Sequence, residues 1–371
     1  MKAIILTISA GGGHHTATKA IDEHLKTFGI ETITIDAYKY FNTLLSNTVE
    51  KGYLISTKYI PKIYGRFYRM AEKRTEKETS VRMGAMGSSL VFKKFAKFIQ
   101  EQNADVIITT HLFGGELLTA MREKGMINSL LIGVVTDFTV HPFWEETNLD
   151  YYVTASELLD YQMYKKGITK DRILPFGIPI HPKFARKTDK SEARERLGLL
   201  EKTTVMVMAG SMGYGSVYKH IMHLDSSPLD FQIICVCGSN KKLKKQLDAY
   251  SANKNMIVYG FTTNVDLLMD ASDYIITKPG GLSVSEALAK GLPLILIDPI
   301  PGQEDRNKEF LLNVGVAITA TKTHPADEAI YQLEKSDIRK ASLDDIIKNI
   351  AKPDAGKKLG EFIVENIKRD R

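Results

Sequence analysis

Residues 277–307, TKPGGLSVSEALAKGLPLILIDPIPGQEDRN, restrict the fold of this chain more than any other stretch. They follow an apolar run (Tyr274, Ile275, Ile276) and turn on the pair Gly280 and Gly281. A small-residue helix then opens at Ser283 and Ser285, with the carboxylate Glu286 in its first turns. Gly291 and Pro293 end the helix, an apolar strand follows at 294–297, and a polar loop carries Gln303, Glu304 and Asn307. Strand, glycine turn, helix and strand form the unit of a parallel sheet. At the carboxyl edge of such a sheet, helix N-termini and close backbone turns receive phosphate. The stretch therefore predicts a nucleotide site; the alternative is an ordinary βαβ unit whose glycines only make a tight turn.

The first residues repeat the same grammar. A strand over 2–9 (Ile4, Ile5, Leu6, Ile8) runs into a glycine turn at 10–13. A helix follows from about His15 (Ala17, Ala20, Ile21, Leu25), and a second strand spans 31–35. The turn reads G-G-G-H-H, which is neither G-x-G-x-x-G nor a P-loop, since no Lys-Ser/Thr follows. Glycines admit a ligand close to the backbone, and the helix N-terminus favours negative charge there. His14 stands at the mouth of this turn, where an imidazole is suited to take a proton from a hydroxyl. A capping or phosphate-donating histidine is the alternative.

A third such turn, Gly210-Ser211-Met212-Gly213-Tyr214-Gly215, follows a strand at 203–209. Strands at 231–238, 256–259 and 274–277 alternate with helices at 241–252 and 265–271. From Pro325 the chain is helical and charged. At 371 residues the chain exceeds one ordinary core. The run ILPFGIPIHP at 173–182 can continue neither a helix nor a central strand, which places a domain junction there. The expected division is an N-terminal domain over 1–178, a C-terminal domain over 179–345, and a last helix over 346–371 that packs back on the first domain. Cys235 and Cys237, the only cysteines, sit two apart on one strand and read as buried thiols of a reducing compartment. The N-terminus lacks the form of a signal peptide, and no apolar run approaches the length that spans a bilayer.

Between Lys51 and Lys97 twelve Lys or Arg face three Glu, a net of +9 where the whole chain carries +6. Aromatic residues are interleaved: Tyr53, Tyr59, Tyr64, Phe67, Tyr68, Phe92 and Phe95. Tyr64, Arg66, Phe67, Tyr68 and Arg69 form its densest part. Cationic residues with aromatic anchors suit an interfacial helix on an anionic bilayer. A nucleic-acid backbone would attract the same charge, but no nucleic-acid motif accompanies it. A solvated helical face is the plain alternative. Polar residues at the ends of strands 104–110, 129–136 and 149–154 point into the functional crevice of a parallel sheet. This makes His111, Asp137, His141 and Trp144 candidates for the acceptor side. Asp137 would orient a base or meet the acceptor, or else cap a turn. His111, Asp137 and His141 are zinc-ligand types without zinc spacing.

The motifs G-G-G-H-H, V-V-T-D-F, GSMGYG, Y-G-F, TKPGGLSVSEALAKGLP and PGQEDRN together resemble the monogalactosyl- and glucosyl-diacylglycerol synthases, relatives of MurG. The resemblance covers most of the chain. It implies the GT-B fold: two Rossmann-like domains facing an interdomain cleft, the sugar nucleotide on the C-terminal one and the acceptor on the N-terminal one. It further implies that Glu286 receives the ribose hydroxyls and Phe261 flanks the uracil. Ser211 and Gly213 meet the diphosphate, with Gly280 and Gly281 completing a backbone cradle, and Gly13 and Ser283 also belong to the donor site. Gln303 and Glu304 bind the hexose with Asn307 nearby, and His14 is the base. Position 15, a second histidine, departs from the pattern of the best-known members.

The implied reaction moves a hexose, glucose before galactose, from a UDP-sugar to diacylglycerol with inversion. The protein would be cytoplasmic and associated with the inner face of the membrane. No D-x-D sequence occurs, so metal and cofactor are both expected to be absent, the diphosphate charge falling to backbone N–H groups and helix dipoles. Other acceptors on the same fold, a UDP-sugar-sensing regulator and a non-hydrolysing epimerase are the competing functions.

Overall fold

The structure, a computed structural model, describes residues 1–8, 12–41, 90–208, 210 and 216–369. It divides into two compact units. The first comprises Met1–Pro182, Pro301–Gln303 and Asp354–Arg371; the second comprises Lys183–Ile300 and Glu304–Pro353.

The first unit runs β1 (Lys2–Thr7), α1 (Gly12–Thr27), β2 (Glu31–Asp36), α2 (Ala37–Phe41), α3 (Leu90–Gln102) and β3 (Val106–Thr109). It continues with α4 (Leu112–Glu123), β4 (Leu130–Val134), β5 (Tyr151–Val153), α5 (Asp160–Tyr164) and β6 (Ile173–Leu174). Its strands form one parallel sheet in the order β2-β1-β3-β4-β5-β6. β1 and β3 are continuous apolar runs because both faces of such a sheet are covered; Ile4, Ile5, Ile107 and Ile108 are fully buried. The two-residue β6 sits at the sheet's edge, which is where the proline-rich run following it is tolerated.

The helix α1 begins at Gly12, earlier than the expected start near His15, so the glycines form its first turn. Ala17, Ala20, Ile21, His24 and Leu25 are its buried stripe, and Gly29, at φ 69°, closes it. α3 is amphipathic: Phe92, Phe95, Ala96 and Ile99 are buried, while Lys93, Lys94 and Lys97 are exposed. Phe92 and Phe95, counted above among the aromatics of a membrane-facing segment, are therefore core residues. Tyr64, Arg66, Phe67, Tyr68 and Arg69 lie outside the described residues.

The second unit begins with α6 (Lys190–Leu197) and β7 (Thr204–Met208), then α7 (Val217–Ser226), β8 (Gln232–Val236), α8 (Lys241–Asp248), β9 (Met256–Tyr259) and α9 (Val265–Asp270). After these come β10 (Tyr274–Thr277), α10 (Gly281–Lys290), β11 (Leu294–Leu296), α11 (Gln303–Val314, whose first residue is counted with the first unit), β12 (Ala317–Thr319), α12 (Ala326–Glu334) and α13 (Asp337–Ile350). Its parallel sheet is ordered β12-β11-β10-β7-β8-β9. Gly291, at φ 78°, caps the end of α10 as a residue in the left-handed region must. The expected polar loop at 303–307 is instead the first turn of α11. Glu304 and Asp305 lie in that turn, where acidic side chains complement the helix dipole. Cys235 on β8 and Cys237 just beyond its end are buried free thiols.

The chain closes with α14 (Ala355–Arg369), which belongs to the first unit. Leu359 and Ile363, four apart, are fully buried, and Ile367 continues their stripe into the cluster that holds Ile21 and Leu25 of α1 and Ala3 and Ile5 of β1. Burial of each such side chain is worth roughly 1.5–3 kcal/mol. Two glycines permit the approach. A Cβ on Gly356 would lie 2.1 Å from the His24 ring, and one on Gly360 would lie 2.4 Å from Phe28.

Candidate active site

Each sheet reverses direction once. In the first, the chain leaves β1 toward β2 and then crosses to β3, so the switch point lies between β1 and β3. In the second it lies between β7 and β10. Ligands of open parallel sheets bind beyond the carboxyl ends of the strands at these points. The residues singled out above fall at both.

At the first switch point, the turn after β1 delivers Gly13 and His14 and the end of β3 delivers Thr110 and His111. His14 Nδ1 stands 2.8 Å from the Thr110 carbonyl oxygen and 3.4 Å from the Thr136 hydroxyl. A carbonyl oxygen only accepts, so Nδ1 carries the proton and Nε2 bears the lone pair. The ring of His111 meets that of His14 edge to face at 4.8 Å. Burial pushes His14 down to about 4, against the pull of the Thr110 hydrogen bond, and the neighbouring His15 adds to the lowering. His14 is thus a neutral imidazole at physiological pH, the state a general base needs.

His111 and His141 have a second duty. Each uses Nδ1 to accept a backbone N–H two residues on, from Phe113 at 3.1 Å and from Phe143 at 3.2 Å, and so caps α4 and the short helical turn Pro142–Glu146. Burial lowers both, His111 well below its ordinary value and His141 to about 4. Among the described residues, no group of three or more His, Cys, Asp or Glu is placed to hold a metal ion, so the zinc alternative finds no cluster.

Asp137 is half-buried in the segment that follows β4, and its Oδ2 accepts the side-chain amide of Gln303, which belongs to the first unit. The group that orients His14 at Nδ1 is the Thr110 carbonyl. Trp144 requires a correction. It is 4 % exposed, meets Tyr152 edge to face at 6.0 Å, and fills the space beside Gly115 and Gly133. It packs the interior of the first unit and presents nothing to an acceptor.

At the second switch point, Gly280 caps α10 and Gly281 begins it. A Cβ on Gly280 would approach Glu304 Oε1 at 3.8 Å, and Glu304 Oε2 accepts Ile300 N–H at 2.7 Å. Ser285 returns its hydroxyl to the Gly281 carbonyl, 2.8 Å away, while Ser283 is half-buried one turn from the cap. Asn307 is fully buried and donates to the Pro279 carbonyl at 3.0 Å. In this state it braces the glycine turn from behind.

Glu286 is 8 % exposed. Burial pushes its carboxyl up to about 8, opposed by Lys183, which is itself paired with Asp266 at 2.9 Å. Phe261 follows β9 on the same edge and is 74 % exposed, an aromatic face with little protein against it. Ser211 and Gly213 lie outside the described residues.

The structure thus brings His14 and Gly13 to one switch point, with Asp137 beyond the neighbouring β4, and Gly280, Gly281, Ser283, Glu286, Glu304 and Asn307 to the other. Sequence reasoning missed Thr110, whose contribution is a backbone oxygen, and Lys183, which directly follows the proline-rich junction. It also missed Asp298, although a polar residue at a strand's carboxyl end was the signal that selected Asp137.

Comparisons with known proteins identify the family and the fold. The family described as Monogalactosyldiacylglycerol (MGDG) synthase matches residues 14–180, and the Glycosyltransferase family 28 C-terminal domain matches residues 204–345. A relative from Bacillus pumilus, named a processive diacylglycerol beta-glucosyltransferase, is 30% identical over 371 residues, covering 98% of this chain and 94% of its own length. One of the same name from Staphylococcus saprophyticus is 28% identical over 92% of this chain and 87% of its own. The crystal structure of Acinetobacter baumannii MurG superposes with a TM-score of 0.62 at 14% identity, covering 98% of this chain and 99% of its own, a likeness of fold. The chain belongs to the monogalactosyl- and glucosyl-diacylglycerol synthase family and is a glycosyltransferase of the GT-B fold.

Proposed function

We propose that the chain transfers glucose from UDP-glucose to the free hydroxyl of diacylglycerol, with inversion at the anomeric carbon, on an anionic membrane surface. The observation that carries this is the neutral His14, its Nε2 lone pair set by the Thr110 carbonyl, in a chain that matches diacylglycerol glucosyltransferases over 98% of its length. The acceptor hydroxyl gives its proton to His14 Nε2 as its oxygen bonds to the anomeric carbon. The bond from that carbon to the β-phosphate oxygen breaks, and UDP leaves with the electron pair.

The leaving diphosphate is met by backbone N–H groups at Gly280 and Gly281 and by the positive end of α10. No metal is required by this scheme, and turnover is expected to survive chelation. Glu286 receives the ribose hydroxyls, Phe261 faces the uracil, and Gln303 with Glu304 meets the hexose. Among the described residues no helix is long and apolar enough to cross a membrane. The attraction to an anionic surface is assigned to the basic and aromatic residues between Lys51 and Lys97.

The test is a donor panel, UDP-glucose and UDP-galactose, with vesicles containing diacylglycerol and an anionic phospholipid, read by the mass of the lipid product. Glucosyl-diacylglycerol from UDP-glucose supports the assignment; UDP-glucose consumed with no glycolipid formed overturns it. Sedimentation with the same vesicles at low and high salt tests the surface separately, and indifference to anionic vesicles at low salt removes the membrane part alone.

A further inference from the structure

Asp298 stands at the carboxyl end of β11 and is used by none of the steps above. Its backbone has φ 43°, a left-handed conformation that a residue other than glycine holds only when its surroundings enforce it. Its side chain reaches a helix 82 residues away. Oδ2 accepts Ser216 N–H at 2.6 Å, and His220 Nε2 lies 3.5 Å from the same oxygen.

Ser216 is the N-cap of α7, and its own side chain makes no capping hydrogen bond. His220 is one turn further along, and its buried Nε2 faces the same carboxylate. One carboxylate oxygen therefore holds the start of α7 at two points, the N–H of its N-cap residue and the imidazole of His220 in its first turn. Such a charge-assisted contact is about twice as strong as a neutral one. Lys278, in the turn after β10, also acts on this carboxylate, which is held down to about 2 mainly by His220 and by the Ser216 N–H. The carboxylate is ionised throughout the working range.

β7 and β10 flank the switch point of this sheet. Asp298 ties the helix that follows β7 to the edge that follows β10 and β11. We propose that Asp298 is a positioning residue for the donor, fixing the first turn of α7 so that the backbone and dipole at its N-terminus are set for the diphosphate before UDP-glucose arrives. This rests on the donor lying on the second unit. Because the aspartate touches the helix and not the reacting atoms, its contribution is to donor binding in both ground and transition states.

The test compares Asp298→Ala with Asp298→Asn, whose side-chain oxygen can still accept from Ser216 N–H. The readouts are the UDP Kd by calorimetry, the KM values for UDP-glucose and diacylglycerol, kcat and Tm. Asp298→Ala is expected to raise the UDP Kd and the UDP-glucose KM together by about tenfold, with kcat and the diacylglycerol KM held within about twofold, the pattern of lost uniform binding. Asp298→Asn is expected to recover most of the affinity.

An Asp298→Ala protein with an unchanged UDP Kd overturns the proposal. A loss of affinity that Asp298→Asn shares in full, in step with a fall in Tm, overturns it also, since the residue would then support the fold alone. Wild-type protein that fails to bind UDP at all would overturn the donor site itself, and this role with it.

Discussion

His14 donates from Nδ1 to the carbonyl oxygen of Thr110, 2.8 Å away, across a separation of 96 residues in the chain. The hydrogen bond fixes the tautomer and turns Nε2 outward as the basic atom. His14→Ala is expected to lower kcat by about 10²–10⁴-fold, the span of general-base catalysis, with the UDP Kd unchanged. Single-turnover kinetics and calorimetry check the two halves. Near-wild-type turnover in this variant would remove His14 from the chemistry.

The lowered proton affinity of His14 sets the acid limb of the pH profile. With its value near 4, the base stays deprotonated down to about pH 5, and kcat/KM is expected to fall only as pH drops through about 4. The sign for stability follows the same shift. An unfolded histidine titrates near 6.5, so between 4 and 6.5 the unfolded chain binds more protons, and this group makes stability rise with pH across that window. A loss of kcat/KM centred near pH 6.5 would contradict the assignment.

Glu286 is displaced in the opposite direction, up to about 8 from 4.5. The folded protein holds its proton where the unfolded chain has lost it, so this group makes stability fall as pH rises from 4.5 through 8. Glu286→Gln is expected to raise Tm at pH 8.5 and to leave it unchanged at pH 4. If Glu286 accepts ribose hydroxyls at both of its oxygens, as proposed, its proton has to leave. UDP binding at pH 7 is therefore expected to release a proton, seen as a dependence of the calorimetric enthalpy on buffer, and the release is expected to vanish in Glu286→Gln.

Asn307→Ala strips the Pro279 carbonyl of its side-chain donor in a fully buried place. An orphaned buried acceptor costs about 1–3 kcal/mol, so thermal unfolding is expected at a lower temperature. The loosened turn at Gly280 and Gly281 is expected to weaken UDP-glucose binding as well. Equal Tm values for variant and wild type would show that the turn does not depend on this brace.

Gly356→Ala places a methyl group 2.1 Å from a ring atom of His24. That ring is held in turn by the Ile180 carbonyl at 3.1 Å and cannot rotate away freely. Overpacking of this kind costs about 1–3 kcal/mol. The variant is expected to lose stability in the first unit, with faster amide exchange over α1 and α14 and unchanged exchange over α10.

The fold was legible because parallel strands buried on both faces write themselves as unbroken apolar runs, as in Ile4–Leu6 and Ile275–Ile276. The glycine turns that follow them mark the carboxyl edge. The polar run from Gln303 to Asn307 misled because helix N-terminal turns and loops share a taste for acidic and amide side chains. Trp144 misled because a strand-end position shows which edge a residue occupies and not which way its ring turns; the glycines at 115 and 133 that admit it are remote in sequence. Thr110 was invisible for another reason: a carbonyl oxygen belongs to every residue. Its value comes only from β3 ending beside the start of α1. Phe92 and Phe95 lie in a basic segment whose composition suggested a surface, yet their spacing with Ala96 and Ile99 is that of a buried helical stripe.

Because α14 belongs to the first unit, the second unit is an insertion within the first. A ribosome making this protein would emit all of residues 183–353 before Leu359, Ile363 and Ile367 exist to complete the cluster around β1. The unit that carries His14 is the first to be started and the last to be finished. A chain cut short before Leu359 would leave the second unit whole and the first with an open core, so the fifteen residues of α14 control the packing around the helix that carries His14, far away in the sequence.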